Sequence, residues 1–337
     1  MSAVVRASRL EDIEALYEMA KLAGAGFTNL PADRDVLAGK LARSQEAFRK
    51  TSNEPGDDQY VLIMEHGESG KVIGTAQIFS QIGTNWPFYS YRLSTLSQNS
   101  RELGRIFKAE MLTLTTDYEG CSEVGGLFLH PRERAGGLGM LLARSRYLFI
   151  RQHRTRFANR LLAELRGMID EAGASPFWDG LAGKFFGMTF QEADTFNSTR
   201  GNQFIADLMP KHPIYTAMLP ENARLAMGRP HPNGRAAMRM LEEEGFRYES
   251  YIDIFDGGPT MIAETDRIRS IAQAREAELM PGEPGEGVAS IMASGSLLDF
   301  RACIGQVEQV EAGIVIDRES ARLLDVMAGA EIVHVAR

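Results

Sequence analysis

The chain is short of the residues that build disulfide scaffolds and metal centres. Its 337 residues hold two cysteines, Cys121 and Cys303, and six histidines. That is too few cysteines for a disulfide framework or a thiolate metal site, so a reducing cytoplasm is the expected compartment. No His or Cys cluster has metal-ligand spacing. Long apolar runs are missing as well: no stretch is long enough to span a bilayer and the N-terminus has no apolar signal core, which predicts a soluble, unexported chain. Nor is there an excess of basic charge. A net charge of −8 weighs against a nucleic-acid or anionic-membrane binder, so no nucleic acid and no membrane are expected as partners.

What is present is concentrated in residues 123–150, EVGGLFLHPRERAGGLGMLLARSRYLFI. Val124, Leu127 and Leu129 fit a buried strand, Gly125 and Gly126 allow close approach of another backbone or a ligand, and Pro131 ends the strand. From Gly137 onward Leu138, Leu141, Leu142, Ser145, Leu148 and Phe149 recur at helical spacing. The helix therefore begins inside the glycine turn. Its first amides lack intrahelical acceptors and its dipole favours negative charge, so Gly136, Gly137 and Gly139 would let a diphosphate reach bare N–H groups, with Arg132 and Arg134 adding charge. No Gly-Lys-Ser/Thr follows, which excludes a P-loop, and the position and Gly-Gly-x-Gly order do not fit a dinucleotide fingerprint. Arg134-x-x-Gly137-x-Gly139 between strand and helix resembles the acetyl-CoA-binding motif of the GNAT acyltransferase superfamily. The competing reading of the motif alone is a glycine-rich turn with ordinary surface arginines.

The flanking pattern favours the acyltransferase. A strand at 4–6, a helix capped by Ser8, a second helix at 33–50, and strands at 60–65 and 71–80 precede the motif strand, which is the GNAT order. Residues 81–120 are an aromatic and polar insertion, expected to supply a subunit contact or part of an acceptor pocket. After the motif helix, 160–168 is the next expected strand and 176–186 the next helix. Residues 233–245 then read as a second, Asn-capped helix with a glycine stop, followed by FRYESYIDIFDGGP. Two segments thus compete for one role; a single enlarged sheet, with helices inserted at 201–227, is preferred to a partial second copy. Residues 264–278 read as a surface helix, 280–285 as a linker and the remainder as a β-rich, barrel-like tail with no chemistry of its own. The fold class is α/β (α+β): a GNAT-like mixed sheet flanked by helices over 1–262, with insertions at about 81–120 and 191–232, a helix and linker at 263–284, and a small β-rich subdomain at 285–337.

The segments AGAGFTNLP, LFLHP, RSRYLFI, AELRGMIDE, SPFWDGL, FIADLMPKHPIY, HPNGRAAMRMLEEEGFRY and YIDIFDGGPT together resemble the arginine N-succinyltransferase family, from the N-terminus to about Thr265. The resemblance implies transfer of succinyl from succinyl-CoA, a co-substrate with no permanently bound cofactor, to the α-amino group of L-arginine, and in some members ornithine. It also implies a homo-oligomer, or an α/β hetero-oligomer with a homologous subunit. One departure is that Gly-Gly-Leu-Gly stands where the family more often has Gly-Asn-Gly.

Thioester aminolysis needs an amine stripped of its proton, donors for an oxyanion and a proton for the departing thiolate. The GNAT likeness puts the backbone of Gly126, Leu127 and Phe128 beside the thioester, and the family's succinyl-CoA contact falls on Leu127. His231, in Gly228-Arg229-Pro230-His231-Pro232, matches the family's proton donor; from its residues alone a surface loop histidine is the competing reading. His130 and His212 read more readily as structural. Glu123, Glu164 and the pair Asp170 and Glu171 lie near the ends of the central strands, where a cationic substrate needs an acidic partner. Arg166 offers a cation for the succinyl carboxylate, an ordinary salt bridge being the alternative. Arg144, Arg146, Arg151, Arg154 and Arg156 are expected to be mostly a solvated helix face. No Ser or Cys sits in a nucleophile elbow, which favours direct transfer in a ternary complex. A partner-dependent non-catalytic subunit and a CoA-binding regulatory module are the alternatives.

Overall fold

The strands of this chain join into one continuous sheet around the motif helix. The computed structural model describes residues 2–24, 29–200 and 203–337; residues 25–28 of the AGAGFTNLP segment and residues 201 and 202 of the expected helical insertion lie outside the described residues. The first part runs β1 (Ala3–Ala7), α1 (Ile13–Ala23), α2 (Arg34–Arg49), β2 (Gln59–His66) and β3 (Val72–Phe79). A hairpin follows, β4 (Ser90–Ser100) and β5 (Arg105–Thr115), then the motif strand β6 (Ser122–Leu129), the motif helix α3 (Leu138–Gln152) and β7 (Arg160–Glu164). Short helices α4 (Pro176–Gly180), α5 (Gly183–Phe186), α6 (Phe190–Arg200) and α7 (Gln203–Leu208), a two-residue β8 (Ile214–Tyr215) and α8 (Glu221–Ala226) lead to α9 (Arg235–Glu244), β9 (Arg247–Ile252) and β10 (Pro259–Glu264). The tail holds α10 (Arg269–Ala272), β11 (Arg275–Glu278), β12 (Val288–Ser294), β13 (Arg301–Val310), β14 (Gly313–Ile316), α11 (Arg318–Leu324) and β15 (Glu331–Ala336).

The sheet order is β11-β15-β12-β13-β1-β2-β3-β6-β7-β10-β9-β4-β5-β8, antiparallel except between β6 and β7. One face of α3 buries Leu141, Leu142, Leu148 and Phe149 against Leu62, Ile73 and Ala76 of β2 and β3. Each such side chain contributes about 1.5–3 kcal/mol, so the helix whose N-terminus forms the glycine turn is firmly held. A second core, with Tyr91, Phe177, Trp178 and Ile252, fastens the hairpin and α4 to β9.

Several local expectations are corrected. Ser8 does not cap a helix: its hydroxyl lies 3.2 Å from that of Ser44, and Asp12 accepts the Arg9 amide at 2.7 Å instead. Asn233 sits within a turn, Pro232–Gly234, and Gly234 precedes α9. The predicted helix at 176–186 breaks into α4 and α5 in the second core. The role for which two segments competed belongs to the later one, because β10 pairs directly with β7 and β9 with β10. Residues 264–278 form a turn, the four-residue α10 and β11, not a surface helix.

Arg144, Arg146 and Arg156 are buried rather than solvated: α9, α10 and the C-terminal strands cover the two on α3, while Arg156, beyond the end of α3, is enclosed by the end of α2 and by Tyr60 of β2. Arg144 donates to the Ser270 hydroxyl (2.7 Å) and the Ala336 carbonyl (2.9 Å) and pairs with Glu244 (3.1 Å). Arg156 donates to the Lys50 carbonyl (2.7 Å) and to Asn53 (3.1 Å). Arg151 and Arg154 keep ion pairs nearer the surface, with Glu276 and Asp266. In the tail, the circuit β14-β13-β12-β15-β11 is closed by a bridge from Leu279 to Ile314, around Met292, Cys303, Val307 and Ile332. The tail is also tied to the rest of the sheet, since β13 pairs with β1 at Val4↔Cys303, Val5↔Ala302 and Arg6↔Arg301.

Candidate active site

Strands β6 and β7 pair only at Ser122↔Leu161 and Glu123↔Leu162, then splay apart. The splay begins at a bulge. Gly126 has φ +56°, the β3–β6 register shifts between Thr75 and Gln77, and a Cβ on Gly126 would stand 2.7 Å from the Gln77 side chain. Gln77 cannot easily move aside, because it accepts from Gln59 (2.8 Å) and donates to the Asn29 carbonyl (2.7 Å). Glycine is thus required here by both backbone and packing. The gap opens a cleft of about 1160 Å³, with Gly126, Leu127 and Phe128 on one wall.

The glycine turn closes one end. Gly136 and Gly137 have φ of +65° and +85°, and Gly137 precedes α3. Leu141 makes the first i→i−4 bond, to the Gly137 carbonyl (3.0 Å), so the Gly139 and Met140 amides come before the helical ladder begins. A Cβ on Gly139 would meet only open space. Arg134 lines the cleft, its Nε donating to the Leu129 carbonyl at 3.2 Å. Arg132 is exposed and outside the lining, its amide donating to His130 Nδ1 at 3.3 Å. Arg337, from the end of the tail, reaches the Gly136 carbonyl at 3.4 Å and lies in the space a Gly137 side chain would fill.

At the other end four carboxylates converge: Glu123, Glu164, Asp253 and Asp256. Asp253 and Asp256 are set by a turn after β9. Asp253 accepts from the amides of Phe255 (2.7 Å) and Asp256 (2.9 Å), and Asp256 accepts from Gly167 (2.7 Å) and Gly258 (2.8 Å). A Cβ on Gly167 or Gly258 would collide with the backbone across this junction, so the two glycines clip the chain after β7 onto the turn. Removal from water raises all four carboxyls, Glu123 to about 7, and Asp253 raises the other three further. Burial likewise pulls nearby Lys40 down to about 8, although Glu123 opposes this. Such a hole favours a cationic guest.

His231 lies at the edge of the same cleft. Its amide donates to the Arg166 carbonyl at 2.7 Å, and its Nδ1 accepts the Asn233 amide at 3.2 Å, which leaves Nε2 to carry the proton. Burial, then Arg166, holds its pKa below the ordinary value. His212 is exposed, and Asp170 and Glu171 are exposed outside the cleft, Asp170 accepting from the amides of Ala172 and Ala174. Of the 81–120 insertion, Phe88 lines the cleft while the outer hairpin exposes Leu103, Ile106 and Phe107. Among the described residues no group of three or more His, Cys, Asp or Glu is placed to hold a metal ion, and no helix is long and apolar enough to cross a membrane.

The sequence agrees with this architecture over its whole length. A model of the arginine N-succinyltransferase beta subunit matches residues 3–270, and one of that subunit's C-terminal domain matches 275–336. The chain belongs to the arginine N-succinyltransferase beta subunit family. The arginine N-succinyltransferase subunit beta of Pseudomonas aeruginosa is 40% identical over 330 residues, 98% of this chain and 96% of that protein. The arginine N-succinyltransferase of Citrobacter koseri is 39% identical over 332 residues, with the same coverage. The solved structure of arginine/ornithine succinyltransferase subunit AI from Pseudomonas aeruginosa superposes with a TM-score of 0.90 at 32% identity, covering 99% of this chain and 98% of that one. In this member of the arginine N-succinyltransferase family, Asp253, Asp256 and Arg337 are among the cleft residues that the sequence did not single out. The two aspartates stand in the YIDIFDGGPT segment, three apart and just before Gly257-Gly258, a pattern that could have flagged a carboxylate turn.

Proposed function

We propose that this chain transfers succinyl from succinyl-CoA to the α-amino group of L-arginine. The observation that carries this is one cleft with two opposed ends: bare helix-terminal amides with Arg134 and Arg337 for an anionic donor, and four carboxylates for a cationic acceptor. The diphosphate of the donor would lie on the Gly136 to Gly139 turn, and the bulged strand at Gly126 to Phe128 would offer backbone N–H to the thioester oxygen.

Glu123 and Glu164, at the ends of β6 and β7, would hold the cationic acceptor and receive the proton of its ammonium group. The freed amine attacks the thioester carbon and the C–N bond forms; the C–S bond breaks to release CoA thiolate, and the second proton of the amine nitrogen passes to that thiolate, leaving the neutral amide and the free thiol. His231 Nε2–H would donate a hydrogen bond to that sulfur as charge develops on it. No enzyme nucleophile is required, and the two substrates meet directly. One relative and one solved structure are named as subunits; we place this chain in an oligomer of identical or homologous subunits, acting in the cytoplasm.

The test is release of free thiol by the purified chain, with succinyl-CoA or acetyl-CoA crossed against arginine, ornithine and lysine, and the product mass recorded. Succinyl-dependent release with arginine, giving N-succinylarginine, is expected. Tight CoA binding with no transfer to any amine would retire the proposal.

A further inference from the structure

Arg166 follows β7 on the wall of the cleft facing the bulged strand. Its backbone is held twice: its carbonyl accepts the His231 amide at 2.7 Å, and the next residue, Gly167, donates its amide to Asp256 at 2.7 Å. Its side chain is not satisfied in the same way. The guanidinium lines the cleft, and its Nε is buried with no hydrogen-bond partner. Among the described residues no salt bridge of Arg166 is formed, so the ordinary surface ion pair is not what holds it. Asp256 and Asp194 attract it at longer range, but both Asp256 oxygens already accept backbone amides. A half-buried guanidinium with an orphaned donor is costly to keep, and an incoming planar anion would satisfy it in bidentate fashion.

The other cations of the lining lie elsewhere. Arg134 and Arg337 are at the glycine turn, Arg144 is bound to Glu244 and Ser270, Arg146 is buried on α3, and Arg269 starts α10. Among the described lining residues, Arg166 is therefore the cation at the carboxylate-rich end. Its carbonyl is bonded to the His231 amide, so in the proposed reaction, where His231 Nε2–H would serve the thioester sulfur, Arg166 stands beside the acyl chain bonded to that sulfur.

We infer that Arg166 receives the free carboxylate of a dicarboxylic acyl group and so selects succinyl over acetyl and other uncharged acyl groups. This rests on the proposed succinyl transfer. Arg166 is a specificity residue in direct contact with the donor, separate from the residues that bind the CoA moiety.

The experiment measures dissociation constants of succinyl-CoA, acetyl-CoA and CoA by calorimetry, and kcat/KM with succinyl-CoA and acetyl-CoA, for the full chain and for Arg166→Leu and Arg166→Lys. The wild type should prefer succinyl-CoA, and Arg166→Leu should cut the succinyl-to-acetyl ratio about 100-fold, as loss of a desolvated charge pair does. Arg166→Lys should restore part of it, with the affinity for CoA and the KM for arginine within about twofold of wild type. A ratio unchanged in folded Arg166→Leu overturns the inference. So does a rise in the arginine KM at constant ratio, which would assign Arg166 to the acceptor's carboxylate. Binding is read without turnover: a wild type that prefers succinyl-CoA yet acylates no amine would sink the proposed reaction and leave the acyl selectivity standing, while equal binding of succinyl-CoA and acetyl-CoA would sink the selectivity alone.

Discussion

The guanidinium of Arg337 reaches the carbonyl of Gly136 at 3.4 Å, which brings the last residue of the chain to the glycine turn of α3. The tail is held there by the Arg337 amide donating to Ala289 (2.9 Å) and by Arg144 donating to the Ala336 carbonyl. The β-rich tail therefore contributes Arg337 to the cleft lining at the glycine turn.

Arg337→Ala should raise the KM for succinyl-CoA roughly five-fold and leave the melting temperature near wild type, the effect shrinking at high salt as an exposed charge is screened. Arg134→Ala should act in the same direction and Arg132→Ala should not, because Arg132 lies outside the lining. Steady-state kinetics at two ionic strengths would decide it; equal effects of Arg132 and Arg134 would argue against the loop geometry.

His231→Ala should lower turnover about 100-fold or more while CoA still binds. His231→Gln, which keeps an N–H donor, should retain more activity than alanine. Pre-steady-state acyl transfer measured beside calorimetric CoA affinity separates the two effects, and full turnover in the alanine variant would remove His231 from the reaction.

Glu123 sets a pH dependence. Its carboxyl is raised on folding from the usual carboxylate range to about 7, first by burial and against the pull of Lys40. The neutral form is favoured in the fold, so its stabilising contribution is complete below the unfolded pKa and is lost as pH rises through about 7. Glu123→Gln should therefore melt higher than wild type at pH 8 and close to it at pH 4. In activity the sign reverses: kcat/KM for arginine should climb as pH rises through about 7 and Glu123 ionises. Melting curves and pH–rate profiles of both proteins provide the check; identical profiles would show that Glu123 does not face the acceptor.

Arg144→Ala should destabilise the fold by about 3 kcal/mol, since Glu244 would be left buried and unpaired. Arg151→Ala, whose partner Glu276 is at the surface, should cost less than about 1 kcal/mol. Urea denaturation of the two variants is the measurement, and equal midpoints would contradict the burial of Arg144.

The elements around the glycine turn were legible because they are local. The glycine turn, the strand before it and the leucine spacing of α3 depend on neighbours within one or two turns of chain, where backbone sterics and helical period speak directly. The same holds for the β-rich character of the tail and the glycine stop at Gly245. Boundaries failed where a longer-range partner intervened: Ser8 faces Ser44 instead of capping, and α4 to α8 fold around the hairpin in a core of their own.

Sequence alone determined the family pattern and the acyltransferase motif, and it offered His231, Glu123 and Glu164 as candidates. Tertiary structure decided what those residues meet. Glu123 and Asp253 lie 130 positions apart and share a wall because β10 inserts between β7 and β9. Arg144 and Arg146 share the spacing of surface arginines, yet they are buried because α9, α10 and the tail close over α3. Periodicity reports which face of an element is apolar. It cannot report which distant segment will cover a polar one, because that depends on long-range sheet pairing.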